Sequence, residues 1–280
     1  MNLPTVEFRF TFLTHCFSGT ADGKDAKSAE MRVPPIRGHI RFWHRAHYGP
    51  NSTIGVWGSA AGNEGLGSRV ALRLIGEPIK SSQAAPMLPH KAEREQGKRP
   101  ALQPGRQAEF VLHVQRLVGC SEVGWQAAQR AVQLWLLAGG LGLRSNRPAG
   151  SVWPLPSPAW PQPPQTSAAL KAELQRLGFT WPVSLAGQAS GLSADQLRAT
   201  ASDTIKGNPH RRIFGGINPR DPSPTKMKVI LLDTGFCLLI TAPERDLLRQ
   251  AENLLNGRGQ NAKPNPARWT SLGAWQQILP

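Results

Sequence analysis

Carboxylates are scarce in this chain. Eighteen Asp and Glu face 33 Lys and Arg over 280 residues, a formal charge of +15. A field of that sign attracts polyanions, and each phosphate it neutralises releases counterions. Cysteine is also rare: Cys16, Cys120 and Cys237 lie far apart, with no CxxC pair. They suit neither a disulfide framework nor a thiolate metal site, and they point to a reducing cytoplasm. No run of about 18 apolar residues occurs, which excludes a helical membrane span. Residues 1–5 show no charged stretch leading into an apolar one, so no secretory leader is expected. An HExxH pair is missing, and the stretch from Gly19 to Lys24 falls one residue short of a P-loop and lacks its Ser/Thr. No cofactor, metal or small-molecule substrate is expected.

Hydrophobic residues make up 40% of the chain, enough for a real core at this length. Val6, Phe8, Phe10 and Phe12 alternate with polar residues, the period of a half-buried strand. Pro34 and Pro35 then open a helix whose Ile36, Ile40, Trp43 and His47 share one face, with Gly49-Pro50 as its stop. Residues 70–75 and 108–114 read as strands. Ser121 caps a second helix with a Val123, Ala127, Ala131, Leu134, Ala138 stripe, and residues 151–153 read as a short strand. The order is β-α-β-β-α-β, which predicts an α+β, ferredoxin-like (RRM-like) module over residues 1–155. RNA-recognition domains commonly use that scaffold. Six prolines in residues 154–166 read as a linker. Residues 156–280 as a whole read as this linker plus a second, partial ferredoxin-like half. It has helices starting at Ser167 and Ser193 and a hairpin around Thr234-Gly235. Thr241 and Glu244 form a capping box for a helix ending at Gly257.

Three stretches carry the basic charge. On the first helix Arg37, Arg41 and Arg45 recur every four residues, roughly 130° from the apolar face. No acidic residue stands between Met31 and Gly62, whereas a merely solvated helix mixes signs. Gly38 opens room for a close backbone. The second stretch runs from Gly139 to Arg147, where Gly140 and Gly142 free backbone N–H groups for phosphate while Arg144 and Arg147 supply charge. The third holds Lys206, Arg211, Arg212, Arg220, Lys226 and Lys228 against one acid, Asp221, with Phe214 among them. Basic residues beside aromatics suit single-stranded RNA. His39, His44 and His47 spread around their helix, so packing or RNA contact is expected of them rather than a shared metal.

Gly19-Thr20-Ala21-Asp22-Gly23, followed by Arg32-Val33-Pro34-Pro35-Ile36-Arg37-Gly38-His39-Ile40-Arg41-Phe42-Trp43-His44-Arg45-Ala46, resembles the N-terminal signature of the CRISPR-associated RAMP superfamily. Within it the chain resembles in particular the first-named RAMP subunit of the type III-B (Cmr) effector complex. Val56-Trp57-Gly58-Ser59-Ala60 with Ser68-Arg69-Val70, and the loop from Gly140 to Arg147, resemble further motifs of that subunit, the loop departing from them at Leu143 and Pro148-Ala149. The resemblance implies one or two ferredoxin-like folds, assembly with other RAMP subunits, and binding of guide RNA (crRNA) towards its 3′ end or of target RNA there. It implies no catalysis in this subunit. The candidate RNA contacts are Lys24, Arg32, Arg37, Gly38, Arg41, Arg45, Arg69, Gly140, Gly142, Arg144, Arg147, Arg211 and Arg212. In a related RAMP subunit the loop holding Asp22 and Asp25 carries a target-cleaving aspartate. That keeps an endoribonuclease as the alternative, with His15 or His39 as partner.

Overall fold

The computed structural model describes residues 3–21, 27–60, 65–76, 79–105, 109–187, 191–204, 210–216, 221–256, 272 and 274–280. In chain order the elements are β1 (Thr5–Phe12), β2 (Ala29–Glu30), α1 (Val33–Trp57), β3 (Val70–Ile75), β4 (Lys80–Ser81), β5 (Ala84–Pro86), β6 (Lys98–Pro100), β7 (Phe110–Arg116), α2 (Glu122–Ala138) and β8 (Val152–Leu155). Then follow α3 (Ser167–Arg176), β9 (Val183–Ala186), α4 (Ala194–Thr204), α5 (Arg211–Phe214), β10 (Lys226–Leu232), β11 (Gly235–Thr241), α6 (Arg245–Leu255) and β12 (Gln276–Leu279).

The first sheet has the order β3-β7-β1-β8, with every neighbouring pair antiparallel. Its register sets Phe8 opposite Leu112 and Phe10 opposite Phe110. Because side chains alternate across a strand, Phe8, Phe10 and Phe12 all enter the core. There Phe10 stacks on Phe110 and meets Trp135 of α2 edge-on, both with ring centroids 5.3 Å apart. Ile36, Ile40 and Trp43 of α1 are buried, as their spacing requires. The expected N-cap at Ser121 forms, its hydroxyl accepting from the Gly124 amide at 3.1 Å. Gly49-Pro50 kinks α1 instead of ending it. Gly49 takes φ +79, and Pro50 restarts the helix at a first-turn position, where a missing N–H costs little.

Three expectations for the second half are corrected. It was read as partial, yet it builds a four-stranded antiparallel sheet in the order β10-β11-β9-β12. The fourth strand, β12, comes from the polar tail and pairs with β9. The capping box at Thr241 and Glu244 does not form: Glu244 is the N-cap without a side-chain bond, and the Thr241 hydroxyl donates to the Pro182 carbonyl at 2.8 Å. The proline-rich stretch packs rather than spans, with Trp160, Pro163 and Pro164 buried. Both halves contribute to one apolar core. Polar contacts also cross the seam between them, among them His15 to Asp195 at 3.4 Å and Arg198 to the Pro86 carbonyl at 2.8 Å. The Val229 amide donates to Ser151 Oγ at 3.0 Å, and the buried Lys228 Nζ donates to the Leu136 carbonyl at the end of α2. No described helix is long and apolar enough to cross a membrane.

Candidate RNA interface

The three basic stretches meet at one cleft of about 340 Å³. From α1 come Pro35, Gly38, His39 and Phe42; from the turn after α2 come Gly140, Ser145 and Asn146; from the start of β10 comes Lys226. Helical phase explains the first set. With Ile36, Ile40 and Trp43 turned inward, His39, Phe42 and Gly38 fall on the flank next to them, at about 100° per residue. Lys226 precedes the apolar run of β10, and the turn before it supplies the Ser223 carbonyl that its Nζ bonds at 2.7 Å. The same Nζ lies 4.6 Å from the Phe42 ring centroid, a cation–π contact.

The arginine stripe does not line this cleft. Arg37 donates to the Trp57 carbonyl and Arg41 to the Gly58 carbonyl, the latter at 3.0 Å. Those carbonyls close the second segment of α1, where orphan acceptors and the helix dipole both favour a cation. Two of the three guanidinium groups thus hold the helix's own end, and Arg45 alone of the three is exposed. Arg32 donates to the Gly19 carbonyl at 3.1 Å and Arg69, exposed, to the Gly119 carbonyl at 3.0 Å. Arg211 is tied to Asp221 at 2.8 Å, while Arg212 is exposed. Lys24, Asp22 and Asp25 lie outside the described residues, as do Lys206 and Arg220.

The glycine loop is built for close packing rather than for open amides. Leu141 donates to the Gly150 carbonyl and Gly150 to the His15 carbonyl, both at 2.8 Å, while Leu143 donates to Phe17 at 2.9 Å. Gly142 has φ +83, and a Cβ there would sit 2.7 Å from the Phe17 carbonyl oxygen. Gly150 has φ +60, and its Cβ would meet the Leu141 oxygen at 2.0 Å. Gly140 is buried under Ser145 and Gly150 and reaches the cleft only as part of its wall. Gly150→Ala is therefore expected to cost about 3–5 kcal/mol, the sum of left-handed strain and a backbone clash. Gly38→Ala, with open space around its Cβ, should change stability by less than about 1 kcal/mol. Urea denaturation of both variants checks this; equal midpoints would refute it. Arg144 sits at φ +60, and burial, together with its neighbours Arg147 and Arg198, pulls its pKa down from the usual arginine value.

Within the cleft, burial lowers the Lys226 pKa to about 8. Burial, then the Lys226 charge, lowers that of His39 to about 4, so the imidazole is neutral at pH 7. His44 is buried and bonded to Thr53 Oγ1 at 2.9 Å, a packing role. Among the described residues, no carboxylate lines the cleft and no group of three His, Cys, Asp or Glu could hold a metal. One ammonium, a hydroxyl, an amide and an aromatic face can take a phosphate and a stacked base. Of the cleft residues, His39 is one of the histidines expected to pack or touch RNA and Lys226 belongs to the third basic stretch, whereas Phe42, Ser145 and Asn146 were not singled out from sequence as contacts. The available signal was two lysines, Lys226 and Lys228, at alternate positions of an otherwise apolar strand.

No protein-family model matches the sequence, and no curated protein matches it. Solved structures do. Cmr1 from Pyrococcus furiosus, in its apo form, superposes with a TM-score of 0.61 at 13% identity over 99% of both chains. A chain of the type III-B Cmr-beta complex bound to cognate target RNA gives 0.52 at 10% identity, over 92% of this chain and 100% of the other. A chain of that complex with target RNA, AMPPnP and single-stranded DNA gives 0.55 at 8% identity, over 91% and 98%. At such identities the likeness shows the fold: this chain is built as those Cmr chains are, from antiparallel sheets and packed helices.

Proposed function

We propose that the chain is a RAMP-superfamily subunit of a type III-B CRISPR ribonucleoprotein effector, acting in antiviral defence in the cytoplasm. It binds guide RNA towards its 3′ end, or target RNA captured there, and does no chemistry itself. The cleft carries this reading: the signature helix, the glycine loop and Lys226, distant in sequence, converge there on one cationic cleft beside an aromatic face. The strand orders support it. In each half the strands, counted along the chain, lie in the order two-three-one-four with all neighbours antiparallel, which we read as two ferredoxin-like modules. The shared fold with Cmr1 and with chains of an RNA-bound Cmr complex adds to the same reading.

Binding is tested with the full chain, its guide RNA and a matching target at several salt concentrations. The expected result is binding with a steep salt slope and no cleavage products, with or without divalent metal. The endoribonuclease alternative expects cleavage that disappears in Asp22→Ala or Asp25→Ala. Cleavage with that dependence would overturn the non-catalytic reading, and a lack of RNA affinity in both the chain and its assembly would overturn RNA binding.

A further inference from the structure

A larger cavity lies elsewhere. It has a volume of about 710 Å³ and opens between β8 and β10, the edge strands of the two sheets. The edges are pinned together at the Ser151–Val229 hydrogen bond. Further along, Trp153 and Leu155 on one side and Leu231 and Phe236 on the other form the walls, with Phe12 between them. Leu231 is 38% exposed, and Asp233 stands at the β10–β11 turn beside it.

Charge distinguishes this groove from the rest of the molecule. The chain carries +15, yet among the described residues lining the groove none is Lys or Arg and two are Asp, Asp195 and Asp233. His15, 3.4 Å away, and Arg198, at 3.5 Å, keep Asp195 ionised: the His15 hydrogen bond is the larger cause of its lowered pKa. Its side chain is still 55% exposed. The described lining offers RNA phosphate no cation. Apolar walls also exceed what a small polar ligand needs. Pro154, Pro156, Pro163 and Pro164 line the groove without N–H groups, so β8 cannot simply accept another strand and an occupant is held by side chains.

We infer that this groove is a docking site for a protein partner, namely a segment that inserts apolar side chains and sets a Lys or Arg against Asp233. The inference rests on the reading of the chain as a subunit of an assembly. Charge complementarity selects the occupant: Asp195 is already paired with Arg198, and a basic-apolar segment matches the exposed Asp233 beside an apolar slot.

The test places the photo-cross-linker p-benzoyl-phenylalanine at Leu231 in the full chain, and separately at Phe42 of the RNA cleft, in cells holding the complete set of partners. Irradiated material is digested and sequenced by mass spectrometry. The Leu231 probe is expected to capture a protein segment in which an apolar residue lies close to a Lys or Arg. Asp233→Lys should cut that yield about tenfold, and Asp233→Asn less. Capture of RNA, of a small molecule only, of a segment without that pattern, or of nothing would overturn the inference, as would a yield indifferent to Asp233→Lys. The Phe42 probe reports separately: if it captures no RNA the functional reading fails, whatever the groove probe shows.

Discussion

Lys226→Ala is expected to weaken RNA binding by about 1.5–3 kcal/mol, roughly ten- to hundredfold, because a charge-assisted hydrogen bond to phosphate is lost from a partly desolvated cleft. The wild-type protein should also show an alkaline loss of affinity that ordinary lysines do not produce. With its pKa lowered to about 8, Lys226 is charged at pH 7 and mostly neutral by pH 9. A bound phosphate favours the protonated amine, so its pKa is higher in the complex. Affinity is therefore flat below pH 8 and falls above it, by up to about tenfold per unit, until the bound form also deprotonates. His39 adds nothing in that range, since it is neutral from well below pH 7. Lys226→Arg should remove the decline, because a guanidinium stays charged. Fluorescence anisotropy with one RNA at pH 7, 8 and 9, at fixed ionic strength, decides it. A flat profile in the wild type, together with unchanged affinity in Lys226→Ala, would remove Lys226 from the interface.

Two residues along the same strand, Lys228 should dominate the alkaline stability. It is 1% exposed, donates to the Leu136 carbonyl and lies 5.6 Å from the Trp153 ring centroid. Burial drives its pKa well below the ordinary 10.5. A group that loses its proton more easily when folded binds fewer protons in the native state than in the unfolded one. Stability then rises with pH between the folded pKa and 10.5, by up to about 1.4 kcal/mol per unit, and is lost as pH falls back through that window. Lys228→Met keeps the volume and removes the amine, so this part of the slope should vanish. Near pH 7 the variant should be as stable as the wild type or more so, since the cost of dehydrating the amine offsets the loss of one acceptor's partner. Urea denaturation of both proteins at pH 7, 8.5 and 10 measures the difference, in which all other titrations cancel. Parallel stability curves would show that Lys228 keeps an ordinary pKa in the fold.

The two lysines mark where sequence reasoning stopped. Strands such as β1 and helices such as α2 were legible because their periodicity is local: Phe8, Phe10 and Phe12 announce a face without knowledge of its partner. β9 and β12 were not legible. Each is four residues long, and they pair across some ninety positions, a distance over which no local pattern acts. The arginine stripe misled for a related reason. A helical wheel places Arg37 and Arg41 on an outer face, but it carries no information about the kink at Gly49 that presents the Trp57 and Gly58 carbonyls to them. The glycine loop was legible in its place but not in its packing: Gly142 and Gly150 permit contact with the chain's own backbone. Lys226 passed as one cation in a basic loop, since its desolvation is produced by α1 and the glycine turn, which sequence alone does not bring near it.

One strand joins both proposed sites. β10 begins with Lys226 in the RNA cleft and reaches Leu231 and Leu232 in the partner groove, seven residues or about 20 Å in all. Its hydrogen bonds to β11 make it stiff along that length. Thermodynamic linkage then sets a reciprocal condition. If a partner seated in the groove strengthens RNA binding by some factor, RNA in the cleft must strengthen partner binding by the same factor. An assembly built on this chain would thus register whether its RNA is in place through the hold it keeps on its neighbour. Measuring either affinity with and without the other ligand gives that factor twice, and the two values must agree.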